Sequence, residues 1–190
     1  MPEVKKNSSS ENSITRDALW NVTRRFDDFM GATNAKAALT IAFNTFVVSG
    51  IALKWKDILP SSMAHPCLAS IGGVFLAAAA AASILSLIFT FISVNPFQQS
   101  HEISSDYHSD IFFKHIAAHK KPELYLDKVK DMAADTLIKD LAFQIHILSK
   151  GVSKKFDYLK YATMTIICAQ LPAIFLVVVI KLIAFLADSG

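Results

Sequence analysis

The chain has 190 residues, of which 53% are hydrophobic and 18% charged, and a net charge of +3. That apolar share is high for a soluble domain and points to one membrane-embedded domain with a modest polar part. A charge this small argues against a protein that holds long nucleic acid by its phosphates.

Residues 1–12 are rich in Ser, Asn and Lys and are expected as a disordered tail, with no apolar stretch of the kind found in a cleaved signal peptide. Residues 13–31 are predicted as an amphipathic helix that lies on the membrane surface or docks on the cytosolic part. Ser13 is its candidate N-cap, and Asp17 suits the helix dipole in an early turn. Leu19, Val22, Phe26 and Phe29 or Met30 form one apolar stripe, with Trp20 beside it, and Gly31 is expected to end the helix.

The first span is placed at 37–55. Its uncharged run, 37–53, is about 26 Å long at helical rise. Lys36 and Lys54 snorkel at its ends and Trp55 fits the interface. Asn44 lies near its middle, where an amide prefers a partner helix or a water-filled path to lipid. The second span, 67–94, has no charge in 28 residues. Its alanines at 77–82 suit close helix approach, and Ser83, Ser86, Thr90 and Ser93 follow. These hydroxyls either bond their own carbonyls one turn back or line a polar path. Cys67 and Cys168 give neither a disulfide nor a metal pattern and are expected as buried thiols.

Asn95-Pro96 breaks the second helix. The polar segment 98–160 then holds a short helix at 110–119, a Lys120-Lys121-Pro122 turn, a helix at 123–132 and the start of a long helix at 135. In that last helix Ile138, Leu141, Ile145, Leu148 and Val152 recur at steps of three and four, a packing seam. Residues 161–180 are 20 uncharged residues, enough to cross about 30 Å of hydrocarbon, in a third span placed at 161–187. No strong breaker separates seam from span, so a change at one end of this rod can be felt at the other. The fold class is therefore an all-α membrane protein: three transmembrane helices and a cytosolic helical layer built from the N-terminal helix and the segment 98–160.

Orientation follows from Lys and Arg. Six precede the first span and ten lie between the second and third, against three on the other side (Lys54, Lys56 and Lys181). This puts the N-terminus and the 98–160 segment in the cytoplasm and the C-terminus outside.

No Walker loop, GxGxxG, GxSxG, HExxH or CxxC motif is present, so no enzymatic activity is expected. His115 and His119 stand at i, i+4, but no further Cys or carboxylate completes a zinc set, and no cofactor or metal is expected. Residues 95–160 carry ten positive and nine negative side chains. Such a layer does not attract duplexes, but it can hold one or a few phosphates with a few Lys and Arg and helix N-termini. Arg24, Arg25, Lys36, Lys120, Lys121, Lys154 and Lys155 are the candidates; each is otherwise a solvated or headgroup charge.

The motifs Asn34-Ala-Lys36-Ala37 followed by Asn44, Asp110-Ile-Phe112-Phe113, Lys139-Asp140-Leu141-Ala142-Phe143-Gln144-Ile145, Leu148-Ser149 and Lys155-Phe-Asp-Tyr158-Leu159 occur in order across about residues 20–180. This ordered set resembles the transmembrane effectors of Pycsar anti-phage defence, although Asn34 stands where those proteins usually have Asp and the polar N-terminal tail adds length. The resemblance implies a bacterial inner-membrane effector. It would answer to a nucleotide second messenger, a cyclic nucleotide or another nucleotide signal, made by a partner cyclase or nucleotidyltransferase during infection. It would then impair the membrane in abortive infection.

Three spans are too few to enclose a water-filled path in one protomer, so a pore would be homo-oligomeric. Its lining candidates are Asn44, Ser83, Ser86, Thr90, Thr163 and Gln170, with Pro172 as a kink. Two other classes compete. One is a membrane scaffold whose cytosolic helices recruit a partner without ion conduction. The other is a small transporter, for which the paired repeats and midplane charge are lacking.

Overall fold

The computed structural model describes residues 3–60, 64–95 and 109–189, with side chains described from Asn12 onward apart from those at 113 and 114. All regular structure among these residues is helical. The elements are α1 (Glu3–Ile58), α2 (Pro66–Val94), α3 (Phe113–Ala117), α4 (Pro122–Lys130), α5 (Ala134–Thr165), a π-helical turn (Ile166–Gln170) and α6 (Leu171–Ser189). Three helical stretches are long and apolar enough to cross a membrane: Asn12–Ile58, Pro66–Val94 and Ala134–Ser189. The all-α, three-span fold class stands.

The first helix differs from the sequence expectation. One continuous α1 replaces the predicted tail, the separate helix at 13–31 and the new start at 37. Gly31 is too weak a breaker: it costs about 1 kcal/mol against alanine, and nothing stands within 4 Å of where its Cβ would be. Ser13 therefore lies inside a helix and is no N-cap.

The chain divides into two compact units. Unit 1 comprises Met1–Gly31 and Pro96–Ser153; unit 2 comprises Ala32–Asn95 and Lys154–Gly190. Both α1 and α5 contribute residues to each unit.

In unit 2, α2 runs antiparallel to the rod formed by α5, the π turn and α6. The Lys155 ammonium donates to the Val94 carbonyl at 3.3 Å, and the Ser86 hydroxyl donates to the Ala162 carbonyl at 3.1 Å. At the far end Gly72 admits close approach from both sides. A Cβ there would stand 3.2 Å from Leu59 Cδ2 and 3.6 Å from Ile180 Cγ2. The core is narrow and small-sided, with Ala37, Ala79, Ala82, Ala162, Ala173, Val177, Ile180 and Ala184 buried. Large apolar side chains such as Phe46, Val74, Ile88, Phe175 and Phe185 face outward, as lipid-facing helices require. Cys67 and Cys168 are also exposed, not buried as expected. A membrane span turns apolar groups outward, so lying in an apolar run does not imply an interior place.

The π turn has a local cause. Pro172 lacks an N–H, and in an α-helix its ring would clash with the carbonyl four residues back. The chain widens just before it: the Leu171 N–H reaches the Ile166 carbonyl, five residues back.

In unit 1 the predicted short helix at 110–119 contracts to α3, because the backbone N–H groups of Asp110 and Ile111 are used elsewhere. The helix predicted at 123–132 is α4, with Pro122 in its first turn. The seam on α5 buries Leu141 and Val152, with Ile138, Ile145 and Leu148 half-buried. Residues 98–108, with His101 and His108, lie outside the described residues.

Candidate functional site: a polar core in unit 2 and an anchored cavity in unit 1

Unit 2 buries a row of polar side chains inside an apolar bundle. Ser83, Ser86, Thr90 and Ser93 share one face of α2 at steps of three and four, and all four are fully buried. Ser83 and Thr90 bond the carbonyls of Ala79 and Ser86 one turn back, at 2.9 and 2.8 Å. Ser86 instead reaches across to Ala162. Asn44 on α1 donates Nδ2 to the Ser86 hydroxyl at 3.1 Å and to its own Thr40 carbonyl at 3.0 Å. That three-helix contact ties α1, α2 and α5 at one level.

The row is not saturated. Asn44 Oδ1, Ser93 Oγ and both amide atoms of Gln170 are buried with no hydrogen-bond partner in the protein. Gln170 closes the π turn with a relative exposure of 0%. The contacts 86 with 162 and 72 with 180 bracket it, which places it near Ala79 and Ala80 on α2. Small side chains there leave room for a glutamine.

Five of the six expected pore-lining residues, Asn44, Ser83, Ser86, Thr90 and Gln170, thus turn into one protomer's interior. Thr163 does not join them: it is exposed and bonds its own Leu159 carbonyl at 2.9 Å. Ser93 completes the row, and its spacing from Ser86 and Thr90 is the signal that marks it.

Unit 1 is organised by one buried carboxylate. Asp140 Oδ2 accepts from the Asp110 N–H at 2.8 Å, the Ile111 N–H at 3.2 Å and the Ser109 hydroxyl at 3.1 Å. Ser109 Oγ in turn accepts from the Phe112 N–H at 3.1 Å. The Ser109 N–H donates to His115 Nδ1 at 2.9 Å, the Tyr125 hydroxyl donates to the Asp110 carbonyl at 3.1 Å, and Lys128 pairs with the Asp110 carboxylate. Segments around 110 and 140, far apart in sequence, are one structural joint.

Beside the start of α5, unit 1 holds a cavity of 450 Å³ lined by Asn12, Ser13, Arg16, Met132, Leu137 and Ile138 among others. Asn12 Nδ2 bonds Asp135 Oδ1 at 2.9 Å, and Arg16 pairs with Asp17 at 3.1 Å. Its wall is half apolar, its rim carries one guanidinium, and its size falls in the range of small-molecule sites.

None of the seven expected phosphate-binding residues lines this cavity. Arg24, Arg25, Lys120 and Lys121 are exposed in unit 1, and Lys36 and Lys154 are exposed in unit 2. Lys155 is half-buried over the C-terminal carbonyls of α2, and desolvation lowers its pKa from the usual lysine value. Among the described residues no cluster of His, Cys, Asp and Glu is arranged for a metal.

No curated protein and no solved structure matches the chain. The profile of the Pycsar effector protein domain matches residues 18–183. That match takes in α1 from its fifth turn onward and reaches into both units and all three spans. The chain belongs to the Pycsar effector family and is a membrane effector of anti-phage defence.

Proposed function

We propose that this effector is a nucleotide-gated, homo-oligomeric pore of the bacterial inner membrane, with its N-terminus in the cytoplasm. One observation carries the reading: α1 and α5 each supply residues to the cavity-bearing unit and to the polar-cored membrane unit. A ligand that shifts either helix in unit 1 acts on the same helix in unit 2. The ligand is a cyclic nucleotide or another nucleotide signal from a partner cyclase or nucleotidyltransferase. Its base fits the apolar wall at Met132, Leu137 and Ile138, with Arg16 at the rim. Arg24, Arg25, Lys120 and Lys121 supply further phosphate partners, and Lys36, Lys154 and Lys155 are those of the seven candidates nearest the spans. Several equivalent sites in an oligomer share the differential binding, about 10⁴-fold, that moves a gate from 1:99 to 99:1. Opening joins the polar faces to a conducting path, dissipates the membrane potential and ends infection by arresting the host.

The test is ion flux from liposomes holding the purified protein, against cyclic mononucleotides and short oligonucleotides. Flux switched on or off by one of these, and lost in Arg16→Ala or Lys154→Ala protein that remains folded, is the expected result. Absence of flux with every nucleotide, from folded and inserted protein, refutes the gate. The scaffold reading then takes its place, supported by the exposed Ile14, Val22 and Phe29 on the unit 1 part of α1, which share one side of the helix and offer a partner an apolar face.

A further inference from the structure

We propose that the interior of each protomer is a water-binding track, with water hydrogen-bonded at Ser93 Oγ, at Asn44 Oδ1 and at the Gln170 amide. The observation is chemical. Four buried polar atoms have no partner in the protein, and all four belong to one core. A polar atom stranded in an apolar bundle costs several times what a bonded one does, so such atoms bind something. Three of them, Asn44 Oδ1 and the two Gln170 atoms, belong to primary amides, whose hydrogen-bonding demand is high.

The ligand class follows from the donor set. The track holds neutral oxygens and one NH₂ group and no carboxylate or imidazole, so it suits water and not a dehydrated divalent ion. Each level offers water two or more polar atoms, the number a buried water needs. At the first, Ser93 Oγ stands one turn from the Thr90 hydroxyl. At the second, Asn44 Oδ1 belongs to the amide whose Nδ2 meets Ser86 Oγ, which in turn reaches the Ala162 carbonyl. At the third, Gln170 presents an acceptor and a donor at the end of the π turn, where Pro172 brings no backbone donor. Ser93 and Ser86 are seven residues apart on α2, and Ser86 and Ala79 seven more, so the levels are spaced by about 10 Å. The track covers about two thirds of a 30 Å hydrocarbon core. It lies within one protomer, whereas a pore between protomers would be lined by outward faces.

Water at these atoms needs no nucleotide, so the track stands or falls apart from the gating. The experiment is water-edited solid-state NMR on the full chain in bilayers, without ligand. It reads magnetisation transfer from water to the side-chain amide nitrogens of Asn44 and Gln170. Transfer several-fold faster than to the buried methyls of Ala79 and Val177 is expected at both amides. Transfer at the methyl rate at either amide overturns the proposal. Gln170→Leu, a change of similar volume, supplies the second reading. Asn44 keeps its fast transfer if each level binds its own water; loss of that transfer in folded protein shows a single collapsed cavity and overturns the track.

Discussion

Both units bury polar side chains, and they treat them in opposite ways. In unit 1, Asp140 sits in the core with three donors aimed at one oxygen, and those donors are themselves at or near the start of α3. In unit 2, Asn44, Ser93 and Gln170 are as deeply buried, yet four of their polar atoms have no protein partner. A polar group saturated by its own chain is a fastener: it fixes one arrangement and is costly to remove. A polar group left unsaturated inside a bundle lowers the stability of that arrangement and raises its affinity for anything that supplies the missing bonds. The first kind holds one fold in shape. The second suits a membrane unit that changes state, as the proposed function requires.

The contrast breaks first at Asp140. Asp140→Ala leaves the Asp110 N–H and the Ser109 hydroxyl without their acceptor, while the Ile111 N–H keeps Ser109 Oγ at 3.3 Å. Unsatisfied buried donors cost about 1–3 kcal/mol each, so a loss of about 2 kcal/mol or more is expected, enough to unfold unit 1 in a marginal protein. Thermal unfolding and limited proteolysis of 109–130 measure it, and toxicity in an expressing host disappears with it. Asp140→Asn keeps a neutral acceptor and is expected to lose about half as much. If Asp140→Ala melts like the wild type, the carboxylate is no fastener.

The joint at Asp140 also shows what the sequence makes legible. The motifs at 110–113 and 139–145 could be read as two separate stretches of an effector family, but not as partners. Pairing between segments 30 residues apart leaves no periodicity in either, and the hydrogen bonds come from backbone N–H groups that every residue carries. The spans were legible because charge exclusion over 20 or more residues is a strong signal. The seam on α5 was legible because a 3.6 period is local. The continuity of α1 was not, since the polar run before residue 37 resembles a tail and Gly31 a stop, while the outcome depends on how long the apolar run beyond them is. Five of the six pore-lining choices fell in one core because Ser, Thr, Asn and Gln inside a span have few other places to go. Thr163 was the exception: a threonine can satisfy itself on its own carbonyl and face lipid. The phosphate-binding choices rested on charge alone. Charge does not locate a cavity, so Arg16, which rims one, was passed over.

Gln170 gives the effect of opposite sign. Gln170→Leu removes two unpaired amide atoms from an apolar core at nearly constant volume. Stability is expected to rise by about 1 kcal/mol, as a held water is released and no bond within the protein is lost. The thermal midpoint in nanodiscs measures it, and ligand-switched flux is expected to fall as the core becomes harder to open. A loss of stability would mean that Gln170 acts as Asp140 does and would erase the contrast between the units.

The smallest effect tests whether unit 2 has fasteners of its own. Lys155 caps α2: its ammonium donates to the Val94 carbonyl, where the helix dipole favours a cation. Desolvation nevertheless lowers its pKa, so the fold favours the neutral amine more than the unfolded chain does. The two tendencies oppose each other at a half-buried side chain, and Lys155→Met is expected to change stability at neutral pH by no more than about 0.5 kcal/mol. The pH dependence carries the sign. A group whose folded pKa lies below its unfolded value binds more protons unfolded, so its unfavourable contribution is full below the folded pKa and is lost as pH rises toward 10.5. Wild-type protein should therefore gain stability relative to Lys155→Met as pH is raised from neutral into that range, read as the difference between two melting curves at each pH. If the difference instead runs the other way, the bond to Val94 outweighs desolvation. Lys155 would then be a true cap, and unit 2 would be fastened at the C-terminal end of α2 while its interior stays unsaturated.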